Sequence, residues 1–127
     1  TEMRFFNFRQ NNSGGSFDYI ESEGITVNVI IEAKYAEDAN ITAIQKGLYF
    51  DGCSHGQDCS CCGDRWYRVD ESEGTKVPMI YGEKLGTKAK PSKYPSLDRG
   101  WMESGKETAV HYADGRVEWY RKDNTLF

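Results

Sequence analysis

All four cysteines of this chain, Cys53, Cys59, Cys61 and Cys62, fall within ten residues. Disulfides that hold a small secreted domain together join distant segments, whereas cysteines this close can clip only their own loop. The fold must therefore rest on an apolar core, and 38% hydrophobic residues over 127 positions make that core modest. Aromatic residues, 13% of the chain, supply large buried areas from few positions. The length accommodates one domain, residues 1–127, and leaves no room for a second.

The residues outside the cysteine cluster divide cleanly by pattern. Met3 to Arg9 reads as an aromatic first strand, followed by a turn-rich stretch from Asn11 to Ser16. Ile25, Val27, Val29, Ile31 and Ala33 then alternate with Thr26, Asn28 and Glu32, which predicts a strand over Ile25 to Ala33 paired antiparallel with the first. From Tyr35 the period lengthens: Ala36, Ala39, Ala43 and Ile44 recur at helical spacing, Glu37 and Asp38 occupy the first turn, and Gly47 stops it. One helix over Ala36 to Lys46 is expected, since acids favour the positive end of the helix dipole and glycine ends helices. Leu48 to Phe50 and Trp66 to Val69 flank the cysteine-rich loop, residues 51–66, as extended segments.

Beyond it, residues 71–76 form a polar turn, and Val77 to Tyr81 reads as a short edge strand containing Pro78. Residues 82–100 carry too much Gly, Lys, Pro and Ser for regular structure. A C-terminal hairpin, residues 107–121, follows: Thr108 to Ala113 and Arg116 to Tyr120 flank Asp114-Gly115, a pair that suits a type I′ turn, with Val110 and Tyr112 opposite Val117 and Trp119. The expected class is α+β: a small antiparallel sheet, one main helix and a metal-binding cysteine loop.

Charge is unevenly spread. The basic loop, residues 84–99, holds Lys84, Lys88, Lys90, Lys93 and Arg99 against Asp98, a local +4 that leaves −8 on the remainder of a chain whose net charge is −4. A mostly acidic surface repels nucleic acid and suits a basic partner. No apolar run exceeds three residues, as at Val29 to Ile31, so no membrane span is expected; Thr1 to Phe8 lacks a signal-peptide pattern, and a soluble intracellular protein is expected.

The loop reads DGCSHGQDCSCCGDRW from Asp51 to Trp66. Cys59-x-x-Cys62 followed by Gly63 is a spacing in which two thiolates chelate one ion and glycine turns the chain away. Cys53 ranks next as a ligand, then Cys61 and His55 equally, with His111 a distant alternative. Adjacent Cys61 and Cys62 point different ways, which favours Cys53 and His55 completing a tetrahedron and leaves Cys61 to bridge or to bind a second ion. Four such ligands with no open position make a structural zinc site. The competing readings are reduced thiols and a redox-active pair, the latter without the strand-to-helix setting such pairs use. Catalytic zinc needs a base, for which Asp51, Asp58 and Asp64 are candidates, yet no HExxH, HxE, Walker or Ser-His-Asp pattern accompanies them; an enzyme is not expected. The Ser13 to Ser16 loop reads as a flexible turn, and most aromatics read as core.

Three stretches together, FFNFRQNNSGGSF from Phe5 to Phe17, ITVNVIIEA leading into AEDAN, and LYFDGCSHGQDCSCCGDRW from Leu48 to Trp66, resemble a family of small proteins of phages and prophages of Gram-positive bacteria. The chain is similar to a streptococcal prophage anti-CRISPR group of zinc-containing proteins that act on type II effectors. The resemblance implies an inhibitor that binds Cas9, or its complex with guide RNA, in the cytoplasm of the bacterial host and prevents it from loading target DNA, with Cys53, Cys59, Cys61 and Cys62 in the group's cysteine-rich loop. No direct DNA binding is expected. Carboxylates clustered beside that loop, Asp64, Asp70, Glu71 and Glu73, are the expected partner contacts, with Glu21 and Glu23 as further candidates. The alternative functions are a sponge that sequesters a nucleotide immune signal between aromatics and the basic loop, and a metal-dependent hydrolase.

Overall fold

The computed structural model describes residues 2–11, 17–58, 63–80, 83–85 and 107–121. Two strands, β1 (Arg4–Arg9) and β2 (Asn28–Ala33), pair antiparallel with Phe6 opposite Ile31 and Phe8 opposite Val29. The alternation that begins at Ile25 runs past the strand itself: Thr26 and Val27 lie in a bend, and an isolated bridge joins Ile25 to Ile20. The helix α1 spans Ala36–Lys46 as the periodicity requires, ended by Gly47 at φ 118, whose N–H reaches back to the carbonyls of Ala43 and Ile44.

Short strands β3 (Met79–Ile80) and β4 (Glu83–Lys84) form a separate antiparallel ladder. The C-terminal strands β5 (Thr108–His111) and β6 (Val117–Tyr120) complete a four-stranded sheet in the order β1-β2-β5-β6. That sheet is mixed, not antiparallel throughout, because β5 runs parallel to β2 with Asn28 opposite Thr108 and Ile31 opposite His111. Parallel neighbours need a long crossover, and the segment carrying α1 and the cysteine loop provides it.

Burial explains why β2 takes the centre. Its Val29, Ile31 and Ala33 join Phe6, Phe8 and Trp66 in one core beneath α1, while Ile30 on the opposite face packs with Phe5, Ile80, Val110 and Tyr120. A strand covered on both faces is apolar on both, so the alternation marks the strand without marking a solvent side. The helix meets the sheet through Ala36, Ala39 and Ala43, small residues that allow close approach; Ile44, expected on that face, is 55% exposed.

The hairpin turn also departs from expectation. Tyr112 and Arg116 still pair through the Tyr112 N–H, Gly115 donates to the Tyr112 carbonyl, and only Gly115 of the Asp-Gly pair has positive φ, at 96°. That is a three-residue loop closed by a glycine bulge, not a type I′ turn, which needs positive φ at both central residues. Pairing accordingly sets Val110 against Glu118 and Ala109 against Trp119. Of the basic loop only Lys84 and Leu85 are described, Lys84 within β4; its other residues lie outside the described ones. Among the described residues no helix is long and apolar enough to cross a membrane.

Candidate metal centre

The loop from Asp51 leaves the core where Phe50 is buried against Phe8, the ring centroids 6.0 Å apart. Asp51 itself takes a left-handed conformation at φ 58, an uncommon choice for a non-glycine residue that aspartate tolerates. The chain then coils tightly: the N–H of His55 donates to the Asp51 carbonyl, and those of Gln57 and Asp58 both donate to the Gly52 carbonyl, at 2.8 and 3.1 Å. This coil returns Asp58 onto Gly52 so closely that a Cβ at position 52 would lie 1.9 Å from Asp58 Oδ2. Only glycine fits there.

Asp58 is the hub beneath the loop. Its Oδ1 accepts from the Tyr49 hydroxyl at 2.7 Å and its Oδ2 accepts from the Arg65 N–H at 2.8 Å. The Arg65 guanidinium is buried, donates to Tyr49 Oη and to Gln10 Oε1, and faces the carboxylates of Asp58 and Asp18 at 3.8 and 3.4 Å. Gln10 in turn ties this group to the Thr26 and Asp18 carbonyls. A buried guanidinium needs such partners, because an uncompensated charge in the interior is strongly destabilising. Burial and the Asp58 carboxylate raise the Tyr49 pKa against the opposing pull of Arg65, so Tyr49 keeps its proton and donates it.

Above this platform the loop has a closed neck. The Cys53 N–H donates to Asp64 Oδ1 at 2.9 Å, and this bond holds the Asp64 carboxyl below the usual carboxylate range. Asn11 fastens the same neck from two residues past the end of β1, its N–H to the Arg65 carbonyl and its side-chain amide to the Asp64 carbonyl. Gly63 turns the chain there at φ 88. Arg68 braces the outer side, paired with Asp51 at 2.8 Å and stacked over Phe50.

The expected ligands fall as follows. Cys53 is half-buried at the neck, and His55 is exposed on the coil two residues later. Cys59, Cys61 and Cys62 lie outside the described residues, and among the described residues no three His, Cys, Asp or Glu side chains come together as a metal site. His111 is buried on β5, where Nε2 pairs with the Gly24 carbonyl at 2.8 Å.

The four carboxylates expected to meet a partner all have partners within the chain. Asp64 closes the neck. Asp70 caps the short 3₁₀ turn Glu71–Glu73 by accepting from Ser72 N–H, and Glu73 accepts from the Asp70 N–H in return, a reciprocal capping box. Glu71 pairs with Arg4 and also accepts from the Ala36 N–H, so it caps α1 from 35 residues away where Tyr35 offers no side-chain cap. Those bonds hold the Glu71 carboxyl below its ordinary range. Asp70, Glu71 and Glu73 remain exposed, and Glu21 and Glu23 lie on a second exposed 3₁₀ turn, Glu21–Glu23.

Sequence reasoning missed Tyr49, Gln10 and Arg65 and gave Asp58 only the role of a possible base. No spacing rule marks such a platform, because its members come from the residue that follows β1, from the segment that enters the loop and from the loop itself. A profile built from one family matches residues 3–127, from before β1 to beyond β6. The chain belongs to the family described as a domain of unknown function, DUF7296. No curated protein and no solved structure matches it. The DUF7296 match takes in both the platform and the whole cysteine loop.

Proposed function

We propose that this DUF7296 chain is a zinc-stabilised binding protein that inhibits Cas9, alone or with its guide RNA, by blocking the loading of target DNA. The observation that carries the metal part is the closed neck: the Cys53 backbone is fixed to the Asp64 carboxylate, and Cys62 precedes Asp64 by only two residues in the chain. Cys53, at one end of the cluster, is thus held to the residue that follows the other end by two positions in sequence, with the Arg65–Asp58–Tyr49 platform beneath that neck.

The donor set fits zinc. Four thiols and one imidazole within ten residues are the soft and borderline ligands it takes, and Cys53, Cys59 and Cys62, completed by His55 or Cys61, would hold the ion. Bound there, zinc supplies a cross-link worth ~10 kcal/mol or more of apparent binding free energy in small domains at neutral pH. The chain's own contribution is to fix the first ligand's backbone before the metal arrives.

The partner rests on the resemblance and on charge. Outside the basic loop the chain carries −8, and Cas9 holds its guide–target heteroduplex in a positively charged channel. Asp70, Glu71 and Glu73 form an exposed acidic turn on the stretch that leaves the cysteine loop. Acidic side chains fixed by their own hydrogen bonds present charge with little further loss of side-chain freedom on binding.

Size-exclusion chromatography of the metal-loaded protein with guide-bound Cas9, reading zinc and both proteins across the peaks, tests this. Co-elution that is lost on chelation and prevents target-DNA binding is expected. A zinc-containing protein that elutes apart from several Cas9 orthologues overturns the reading. Cleavage lost with DNA binding intact replaces blocked loading by a trapped conformational checkpoint.

A further inference from the structure

The larger apolar side chains of α1 face away from the core. Ala36, Ala39 and Ala43 meet the sheet, while Ile41 and Ile44 are 49% and 55% exposed. An isoleucine on the open side of a helix loses rotamer freedom and, left uncovered, recovers no burial. Residues three and four apart are neighbours on a helix surface, so Ile41 and Ile44 form one patch with Glu37 and Asn40, each a turn before one of them.

The extended segment that leaves the cysteine loop, residues 66–70, runs along that patch. The Asn40 side chain donates to the Val69 carbonyl and accepts from the Val69 N–H, both at 3.0 Å, and Glu71 accepts from the Ala36 N–H. Helix and segment therefore lie antiparallel, with Ala36 beside Glu71 and Asn40 beside Val69. Four helical residues and two extended ones both advance roughly 6–7 Å, which brings Ile44 level with Tyr67, itself 56% exposed. Three exposed apolar side chains thus follow one seam.

The other flank of the helix differs: there Asp38, Thr42, Gln45 and Lys46 line a cleft with Lys34. On the seam side the exposed acids Glu37, Asp70, Glu71 and Glu73 stand against Arg4 and Lys76, a net −2, and Arg68 is matched by Asp51. That rim selects the occupant. A second copy docking about a two-fold axis would set the same acids against themselves, and like charges across an interface repel. A segment bearing Lys or Arg meets complementary charge and brings apolar stems to cover the isoleucines.

We propose that Ile41, Ile44 and Tyr67, rimmed by these acids, form the surface on which a basic protein segment carrying an apolar side chain docks. The proposed surface rests on the Cas9-binding reading and gives it a contact face of which the acidic turn is only the rim.

The double variant Ile41→Ala/Ile44→Ala tests it, since alanine favours the helix and neither isoleucine packs inside. Affinity for guide-bound Cas9 is measured by biolayer interferometry on the zinc-loaded protein, with Glu37→Lys and, on the other flank, Lys34→Ala/Gln45→Ala alongside. The isoleucine variant is expected to bind at least about tenfold more weakly with an unchanged urea midpoint, and the flank control to stay within about twofold. Glu37→Lys is expected to weaken binding most at low salt. Wild-type binding that the isoleucine variant keeps within about twofold overturns the surface and leaves the Cas9 reading standing. Wild type that binds none of several Cas9 orthologues overturns that reading and this surface with it. A urea midpoint that falls in the free variant shows the chain's own residues covering the stripe, and a wild-type dimer in sedimentation that the variant dissociates shows a second copy there; either overturns the proposal.

Discussion

Replacing Gly24 by alanine tests the tightest glycine position among the described residues outside the cysteine loop. Gly24 ends the Glu21–Glu23 turn at φ 70 and ψ 36, and a left-handed conformation costs an alanine roughly 1–2 kcal/mol. A Cβ there would also sit 2.3 Å from Cε1 and 2.7 Å from Nε2 of His111. The ring cannot yield cheaply, since it is buried and its Nε2 bonds to the carbonyl of Gly24 itself. Overpacking of this kind costs about 1–3 kcal/mol, so Gly24→Ala is expected to lose about 2–5 kcal/mol in all. Gly115→Ala is the matched control, because Gly115 has φ 96 but nothing within 4 Å of its Cβ position, and only the conformational cost of about 1–2 kcal/mol applies. Urea denaturation at constant zinc measures both. Adding His111→Ala should cancel the excess in Gly24→Ala, a coupling that a double-mutant cycle reads directly. Equal costs for the two glycine variants, within about 0.5 kcal/mol, would refute the steric argument.

Arg65→Met leaves the Asp58 carboxylate, whose side chain is 1% exposed, without its guanidinium, and a loss of ~3–5 kcal/mol is expected in urea denaturation, partly restored by adding Asp58→Asn. The pKa of His111 is lowered, so above the ordinary value of 6.5 its contribution to stability is complete, and as pH falls below 6.5 the unfolded chain takes up the proton first. Stability should therefore fall by up to about 1.4 kcal/mol per pH unit in that window, and the difference between wild type and His111→Gln isolates the slope. Asp64→Ala removes the acceptor of the Cys53 N–H and should weaken zinc binding about 10–100-fold, measured by competition with a chelating dye; unchanged affinity would show that the neck does not serve the metal. Ile30→Ala should cost ~2–5 kcal/mol and Ile44→Ala less than about 0.5 kcal/mol, because Ile30 is sealed on the second face of the sheet and Ile44 faces outward. Similar costs would contradict the two-sided burial of β2.

What the sequence determined by itself is the set of features written within one or two turns of chain. The bounds of α1 follow from alanine spacing, Glu37 and Asp38 at one end and Gly47 at the other, and each is a local interaction. The antiparallel pair β1 and β2 was legible for the same reason, as was a C-terminal hairpin around Asp114-Gly115, though the glycine bulge that closes it depends on where Tyr112 and Arg116 are held. The cysteine set at 53–62 was also plain in the chain, as a matter of donor chemistry and spacing. Tertiary structure alone decided that β5 lies parallel to β2, because alternation shows that a strand has faces without saying what covers them. Only folding turns Glu71 into the cap of α1, or gathers Gln10, Tyr49, Asp58 and Arg65 beneath the neck at Cys53 and Asp64. His111 shows the same division: its residue type announces an ionisable group, but burial in the sheet and the Gly24 carbonyl decide that its pKa is lowered and that Nε2 carries the proton, with no donor to Nδ1 among the described residues.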